Sequence, residues 1–596
     1  MTIPWLEWQA PAPAAWEAWR AEAEALLAGG VADAQAGARL AEMAHRMASV
    51  SLDPVQQLRL ERLARRMVPH AAHLAPLRPL RIGVVADQTL DFLLPTLQAA
   101  GLGRLLLVEP QLAPLGSAAA IAHGGLRPFE GDLDLILWWY DAMGGFAATP
   151  LLDSLAEDQA VAAATARLRQ TIEGLRQAYG ADVMVTTTAP PARISSLDPV
   201  TDGAAGRFVD RINREILAGA AQGAWLAADI AGLASEIGSL AWHDPMRFFE
   251  MKVPFAFEVK PAVADFLARL LAARFGKSRR ALVLDLDNTL WGGVIGDDGM
   301  EGIELGQGSA RGEAHLAVQL LARELKRRGV VLAICSKNDD EVARAPFRSH
   351  PDMVLTEADI TVFQASWRDK ASALQGIAES LSLGTDALVF LDDNPAERAR
   401  VRQELPFVFV PELPADPFRY ASILERSGAF EHLSLNRDDI LRAASYAATA
   451  RQAQIRETIG NYSDYLRSLE MVITISPFDA VGLPRIAQLV SKSNQFNVTT
   501  RRHNRETLAR MQESPDYLCW QVRLRDAFAE HGMIAVLIVR READPWTIDT
   551  WLQSCRVLER GVEQHILNSL VEVASVEGVK EIRAEYIPTP RNAMVA

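Results

Sequence analysis

The chain has 596 residues, room for about four domains of roughly 150 residues each. It carries 61 Lys+Arg against 75 Asp+Glu, a formal charge of −14, so it lacks a global basic footprint; no nucleic acid and no membrane is expected as a main partner. Hydrophobic residues at 49% and charged residues at 23% exclude wholesale disorder, and three cysteines cannot form a disulfide framework, which points to a reduced, cytoplasmic protein. The opening MTIPWLEWQAPAPAAWEAW has no basic segment followed by an apolar one, so no secretory signal is expected. No apolar run approaches the ~18–20 residues that span a bilayer.

Residues 1–75 read as a helical segment. AWEAWRAEAEALLAGG has apolar residues at helical spacing and stops at Gly29-Gly30, and LDPVQQLRLERLARRMVPHAAHL has Pro54 near its start. From Arg81 strands alternate with helices. RIGVVA (81–86), a helix from Thr89 to Ala100, RLLLVE (104–109), LDLILWW from Leu133, a long helix ending near Gly180, DVMVTTTAPP (182–191), a helix near 205–220 and AWLAADI (224–230) predict a mostly parallel α/β domain over 76–265. A second α/β domain, over 275–425, runs through ALVLDLDN (281–288), a helix (311–328), VVLAIC (330–335), a helix (368–382), ALVFLDDN (387–394) and VFVPELP (408–414). The third, over 436–596, holds a helix (438–460), MVITIS (471–476), a helix from Leu483 to Ser493, and the strands YLCWQVRLRD (517–526), MIAVLIVR (533–540) and WTIDTWLQ (546–553). Asp544-Pro545 marks a hairpin, and a helix (561–577) and KEIRAEY (580–586) follow, which predicts an antiparallel α+β domain.

The chemistry concentrates in the second α/β domain. ALVL ends in Asp285, Asp287 and Thr289; VVLAIC runs into Ser336, Lys337 and Asn338; Lys370 opens a helix; ALVFL runs into Asp392, Asp393 and Asn394. Ligands of parallel sheets sit at the carboxyl ends of the strands. One Asp at a strand end is usually a cap, but this many charged groups at successive strand ends is not. Four carboxylates would repel one another, and Mg²⁺ resolves that by taking carboxylate and phosphate oxygens, here from Asp285, Asp287, Asp392 and Asp393. Lysine and serine suit the remaining phosphate oxygens. One Asp can act as nucleophile, and another, two residues on, can protonate the leaving group and later activate water.

DLDNT, the Ser336 and Lys370 positions and LDDN resemble the four motifs of the haloacid-dehalogenase-like phosphotransferases. DLDNTLWGGVIGDDG, SKN, LDDNPAER, LVSKSNQFNVTTRR, DAFAEHGMIAVLIV and DTWLQSCRVLERG are similar to the FkbH-like subfamily, over residues 280–590. The resemblance implies a bifunctional enzyme that removes phosphate from 1,3-bisphosphoglycerate and loads a D-glyceryl group onto the phosphopantetheine arm of a holo-acyl carrier protein, for polyketide or related biosynthesis. It makes Asp285 the nucleophile, Asp287 the general acid/base, Thr289 the residue that steadies the loop between them, and Ser336 and Lys370 the phosphoryl holders. Lys337, Asn338 and Asn394 lie beside them as substrate contacts.

Thioester formation needs a thiol, from the carrier or from the enzyme. Cys335 adjoins Ser336, and Cys555 lies before a helix with Arg556 and Arg560 near it, a setting that lowers a thiol pKa; Cys519 reads as structural. The third domain resembles an N-acetyltransferase-like (GNAT) fold, in which the loop before a helix takes a pantetheine arm; here that loop is Cys555 to Gly561, with Glu559 where the family pattern has glycine. His531, Asn494 and Asn497 are candidates to line the same cleft, and Arg501, Arg502 and Arg505 to dock the carrier. The N-terminal α/β domain resembles an SGNH hydrolase whose nucleophile position reads Ala86-Asp87-Gln88-Thr89 and whose histidine region reads Trp242-His243-Asp244-Pro245. Without a Ser–His pair it is expected to serve docking or formation of a homodimer. The rival readings are a plain Mg²⁺-dependent phosphatase of a small metabolite and a non-catalytic scaffold for a carrier protein.

Overall fold

The computed structural model describes residues 6–146, 149–435, 440, 446, 466–467, 469–492, 496–527, 530–541, 545–554, 557–558, 560–587 and 592. The chain is mixed α/β with parallel sheets and divides into two compact units, Met1–Ala273 and Arg274–Ala596. Among the described residues no helix is long and apolar enough to cross a membrane.

The first unit opens with helices α1 (Trp16–Ala28), α2 (Ala34–Ala48) and α3 (Pro54–Met67). Gly29 caps α1 and Pro54 opens α3, as the sequence predicts. Asp53 accepts from Val55 N and Gln56 N, which satisfies two donors that a helix start leaves orphaned. A five-stranded all-parallel sheet follows: β1 (Arg78–Ala86), β2 (Leu106–Leu112), β3 (Leu135–Trp139), β4 (Asp182–Thr186) and β5 (Leu226–Ala228), in the order β2-β1-β3-β4-β5. Pro110 is tolerated inside β2 because β2 is an edge strand. The predicted helix from Thr89 instead begins at Leu94: Pro95 fits a first turn, and Thr89 N is already spent on Lys252 O. Helices α4 (Ser154–Tyr179, stopped by Gly180 at φ 64) and α5 (Ala205–Ala221) pack an apolar face built around Phe208, Ile212, Leu168 and Ile172 against the sheet.

In the second unit, β6 (Ala281–Leu284), β7 (Val331–Ser336), β8 (Val362–Ala365) and β9 (Leu388–Leu391) form a parallel sheet in the order β8-β7-β6-β9. β8 was not expected from the sequence, because VFQA is too short and too mixed to stand out. VFVPELP makes no strand; it contributes one isolated bridge, Val389 to Phe409, where its prolines end pairing. Helices α6 (Ala310–Arg327), α7 (Lys370–Ser380) and α8 (Pro395–Glu404) accompany these strands. The C-terminal sheet holds β10 (Val472–Pro477), β11 (Phe496–Asn497), β12 (Tyr517–Arg525), β13 (Glu530–Arg540), β14 (Trp546–Gln553) and β15 (Ile582–Ala584). Its order is β10-β12-β13-β14-β11; these pairings are antiparallel, while β15 pairs with β14 in parallel. Helix α9 (Leu483–Lys492) and the last helix, α10 (Val562–Val576), match the sequence reading; the helix expected over 438–460 and Asp544 lie outside the described residues, apart from single positions.

Within the first unit, Arg104 makes a buried bidentate pair with Asp265, Nη2 lying 2.8 and 2.9 Å from the two carboxylate oxygens. Removing one partner strands a buried charge. Asp265→Ala is expected to lower the unfolding free energy by about 3–5 kcal/mol in urea titration; a loss below about 1 kcal/mol would mean that water reaches Arg104.

Candidate functional site

Strand order places the site. β7 and β8 lie on one side of β6 and β9 on the other, so the connections diverge between β6 and β9 and open a crevice at their carboxyl ends. Asp285 follows β6 directly and Asp392 follows β9 directly, with Asp285 N donating to Leu391 O at 3.0 Å. Oxygens of Asp285, Asp392 and Asp393 all lie within 4.8 Å of one another. Lys370, the first residue of α7, lies 2.9 Å from Asp285 Oδ1 and 2.5 Å from Asp392 Oδ2. A cation in the first turn works against the helix dipole, so it is the acids that hold this ammonium group in place.

The charges are buried, and burial decides their chemistry. Desolvation, with the Lys370 charge opposing it and Asp392 adding to it, pushes Asp285 up to about 6. Burial, then repulsion from Asp285, pushes Asp393 to about 6 as well. Asp392 is also raised, by burial above all. Burial opposes the charge on Lys370, yet attraction by Asp285 and Asp392 outweighs it and holds the lysine protonated. Three carboxylates against one ammonium leave two negative charges when all are ionised. An all-oxygen set with that deficit fits a hard divalent cation such as Mg²⁺.

Asp287, expected among these ligands, stands apart. Its Oδ1 accepts from Trp291 Nε1 and Ile295 N, each at 3.0 Å, and its Oδ2 from Asn338 Nδ2 at 2.8 Å. These donors draw the carboxylate away from the other three. The turn that brings Trp291 back is carried by Asn288 (φ 55) and Gly293 (φ 92), with Gly293 N donating to Asn288 Oδ1; at φ 92 a side chain would be strained.

The other sequence candidates divide by what they touch. Asn338 Nδ2 also reaches Ser336 Oγ at 3.2 Å. The serine oxygen therefore accepts, and its own O–H is left to donate towards a phosphoryl oxygen. Thr289 is buried; its Oγ1 accepts from Asp393 N at 3.1 Å, which ties the β6 loop to the β9 loop. Asn394 is exposed and caps α8, while its backbone N–H donates to Asp392 Oδ1. Lys337 is partly exposed and pairs with Glu397 at 2.5 Å, so it does not join the acidic cluster. The sequence reading missed Arg398 and Trp291. Arg398 is buried, and its Nη1 donates to the carbonyls of Asp392 and Asp393. No spacing rule marks an arginine that binds carbonyls five and six residues before it.

Cys335 is not presented to the site. Strand alternation turns it into the apolar cluster with Ala333, Leu374 and Phe390, and burial pushes its thiol up to about 12. At neutral pH it is a thiol, not a nucleophile. Cys519 is likewise buried, and its thiol is pushed up to about 12. Cys555, Arg556, Glu559 and Asn494 lie outside the described residues. His531 is buried inside the C-terminal sheet, its Nε2 2.6 Å from Asp526, which also pairs with Arg560 at 3.2 Å. Arg501 pairs with Asp549 and Glu585.

In the first unit Asp87 directly follows β1. It accepts from Asp141 N at 3.1 Å, and burial pushes it to about 6. His243 and Asp244 turn to different partners, Pro190 O and Arg247.

No family model matches this chain, and no curated protein matches it. It is similar to the crystal structure of the N-terminal part of the protein BF1531 from Bacteroides fragilis, which contains a phosphatase domain and is complexed with Mg. The identity is 27% and the TM-score 0.57, over 64% of this chain and 100% of that one. Two acetyltransferase structures also align. The ribosomal-protein-S18-alanine N-acetyltransferase of Escherichia coli shares 18% identity, over 19% of this chain and 66% of its own. A fungal glucosamine N-acetyltransferase region shares 10%, over 95% of this chain and 65% of its own. Their TM-score of 0.16 is too low to bear on fold or function.

The raised carboxyls set a pH dependence. Folded values near 6, above the ordinary 3.8, give stability that is complete below 3.8 and lost as the pH rises through 6. A divalent cation competes with those protons. In thermal unfolding, added Mg²⁺ is expected to raise the midpoint by several degrees well above pH 6 and by little below pH 4–5. A rise independent of pH would place the cation elsewhere.

Proposed function

We propose that the chain is a Mg²⁺-dependent phosphatase and acyl transferase that takes 1,3-bisphosphoglycerate and delivers a D-glyceryl group to the thiol of a holo-acyl carrier protein. The observation that carries the phosphatase half is the buried meeting of Asp285, Asp392, Asp393 and Lys370 at one strand switch point. A neighbour that contains a phosphatase domain complexed with Mg supports the same half. The acyl half rests on the FkbH-like strings of the C-terminal region.

Asp285, Asp392 and Asp393 would hold Mg²⁺, which would shield the phosphoryl oxygens and draw charge from them. Lys370 and Ser336 bind the same oxygens. Asp285 attacks phosphorus: a P–O bond to its carboxylate forms as the ester P–O bond breaks, giving an aspartyl phosphate. Asp287 gives the departing oxygen a proton, then takes one from the water that cleaves the aspartyl phosphate. With Cys335 and Cys519 held as thiols by burial, the carrier's own thiol is the favoured acyl acceptor: its sulfur, losing its proton, bonds to the acyl carbon as the C–O bond to the C1 phosphate breaks and that phosphate leaves.

Intact-protein mass spectrometry tests both halves. With 1,3-bisphosphoglycerate generated in situ, Mg²⁺ and a holo-carrier protein, a glyceryl mass is expected on the carrier. Asp285→Asn should cut release of the C3 ester phosphate by on the order of a thousand-fold or more, leaving the carrier unloaded or its acyl group phosphorylated. Phosphate release with no acyl mass on any carrier would leave the plain phosphatase, and an acyl mass on the enzyme would redirect the acceptor to Cys555.

A further inference from the structure

Asp287 is held more fully than a general acid requires, and the way it is held distinguishes its two oxygens. A carboxylate oxygen offers two in-plane acceptor sites. On Oδ1 both are taken, by the buried Trp291 ring N–H and by Ile295 N, each at 3.0 Å. On Oδ2 one is taken, by Asn338 Nδ2 at 2.8 Å, and among the described residues the other is open. Trp291 is fully buried with its ring edge-on to Phe347, so its N–H has little freedom to leave Oδ1. Asn338 is buried as well, and its second N–H is engaged by Ser336 Oγ at 3.2 Å, which fixes the amide plane. A proton cannot sit on Oδ1 without displacing an N–H donor.

We propose that Trp291 and Asn338 are the positioning residues of the general acid: Trp291 closes Oδ1 to protons, and Asn338 turns the open site of Oδ2, as the one proton-carrying site, beside Ser336 and the phosphoryl group. This rests on the phosphatase reading above. In the first step the proton on Oδ2 goes to the leaving oxygen as the P–O bond to it breaks and the P–O bond to Asp285 forms. In the second, water attacks phosphorus, the bond to Asp285 breaks, and the proton of the water returns to Oδ2. The device matters most for an alkyl ester, whose leaving alkoxide is a strong base.

The test compares two probes by kcat/KM, which reports the steps up to phosphoryl transfer. Glycerol phosphate needs a proton on its leaving group; dinitrophenyl phosphate does not. Trp291→Phe keeps the ring and removes the donor. It is expected to lower kcat/KM for glycerol phosphate at least about ten-fold further than for dinitrophenyl phosphate, within the ~10²–10⁴-fold range of general acid catalysis. Asn338→Ser, which leaves Trp291 packed, is expected to skew the two probes in the same direction and keeps the test open should the Trp291 variant not fold. Equal losses on both probes in folded protein would make the two residues merely structural, and no loss on either would place the proton elsewhere; each result overturns the proposal. Wild-type protein that releases no phosphate from either probe with Mg²⁺ would overturn the phosphatase reading, and this inference with it.

Discussion

Lys370 Nζ sits between Asp285 and Asp392, at 2.9 and 2.5 Å, in a place that water scarcely reaches. Isolated buried carboxylates would take up protons and lose their use as ligands or nucleophiles. One ammonium group is enough to bring them together and too little to neutralise them. The residual negative charge at the ends of β6 and β9 suits a divalent cation. The strand order, the helix start at Lys370 and the buried loops around it all serve to hold this imbalance in place.

Around that centre the chain ties its loops to one another. Thr289 Oγ1 accepts from Asp393 N, and Arg398 gathers the carbonyls of Asp392 and Asp393. His315 on α6 reaches the carbonyl of Thr289 at 3.0 Å. These contacts fix the backbone behind the acids, so that carboxylates at the ends of strands are aimed by groups lying behind them. The cluster of Asp285, Asp392 and Asp393 and the carboxylate of Asp287 are thereby kept on separate sets of donors, although Asp285 and Asp287 stand two residues apart.

Much of this was legible in the residues. ALVL, VVLAIC and ALVFL are short apolar runs with polar residues at their carboxyl ends, and a buried parallel strand is what such a run can form. That put Asp285, Ser336 and Asp392 at one edge of one sheet. What the runs could not tell was orientation. Cys335 and Ser336 are adjacent, but the pleat sends one into the apolar cluster and leaves the other at the site. Asp287 stands two residues from Asp285, and only the turn through Asn288 and Gly293 reveals that its partners are Trp291, Ile295 and Asn338. Arg398 and His315 were missed because their partners are backbone carbonyls, which have no residue type to be matched. In the C-terminal sheet His531 read as a residue lining a cleft, outside the strand expected over 533–540; the strand begins at Glu530, and His531 pairs there with Asp526, both buried.

The central claim is that Asp285 carries the phosphoryl group. The most direct measurement is to quench the protein during turnover with borohydride, which reduces an aspartyl phosphate to homoserine, and to map the digest by mass spectrometry. The expected result is homoserine at position 285, dependent on Mg²⁺ and substrate. Phosphate release with an unreduced Asp285, or with the reduced residue at another position, would contradict the account.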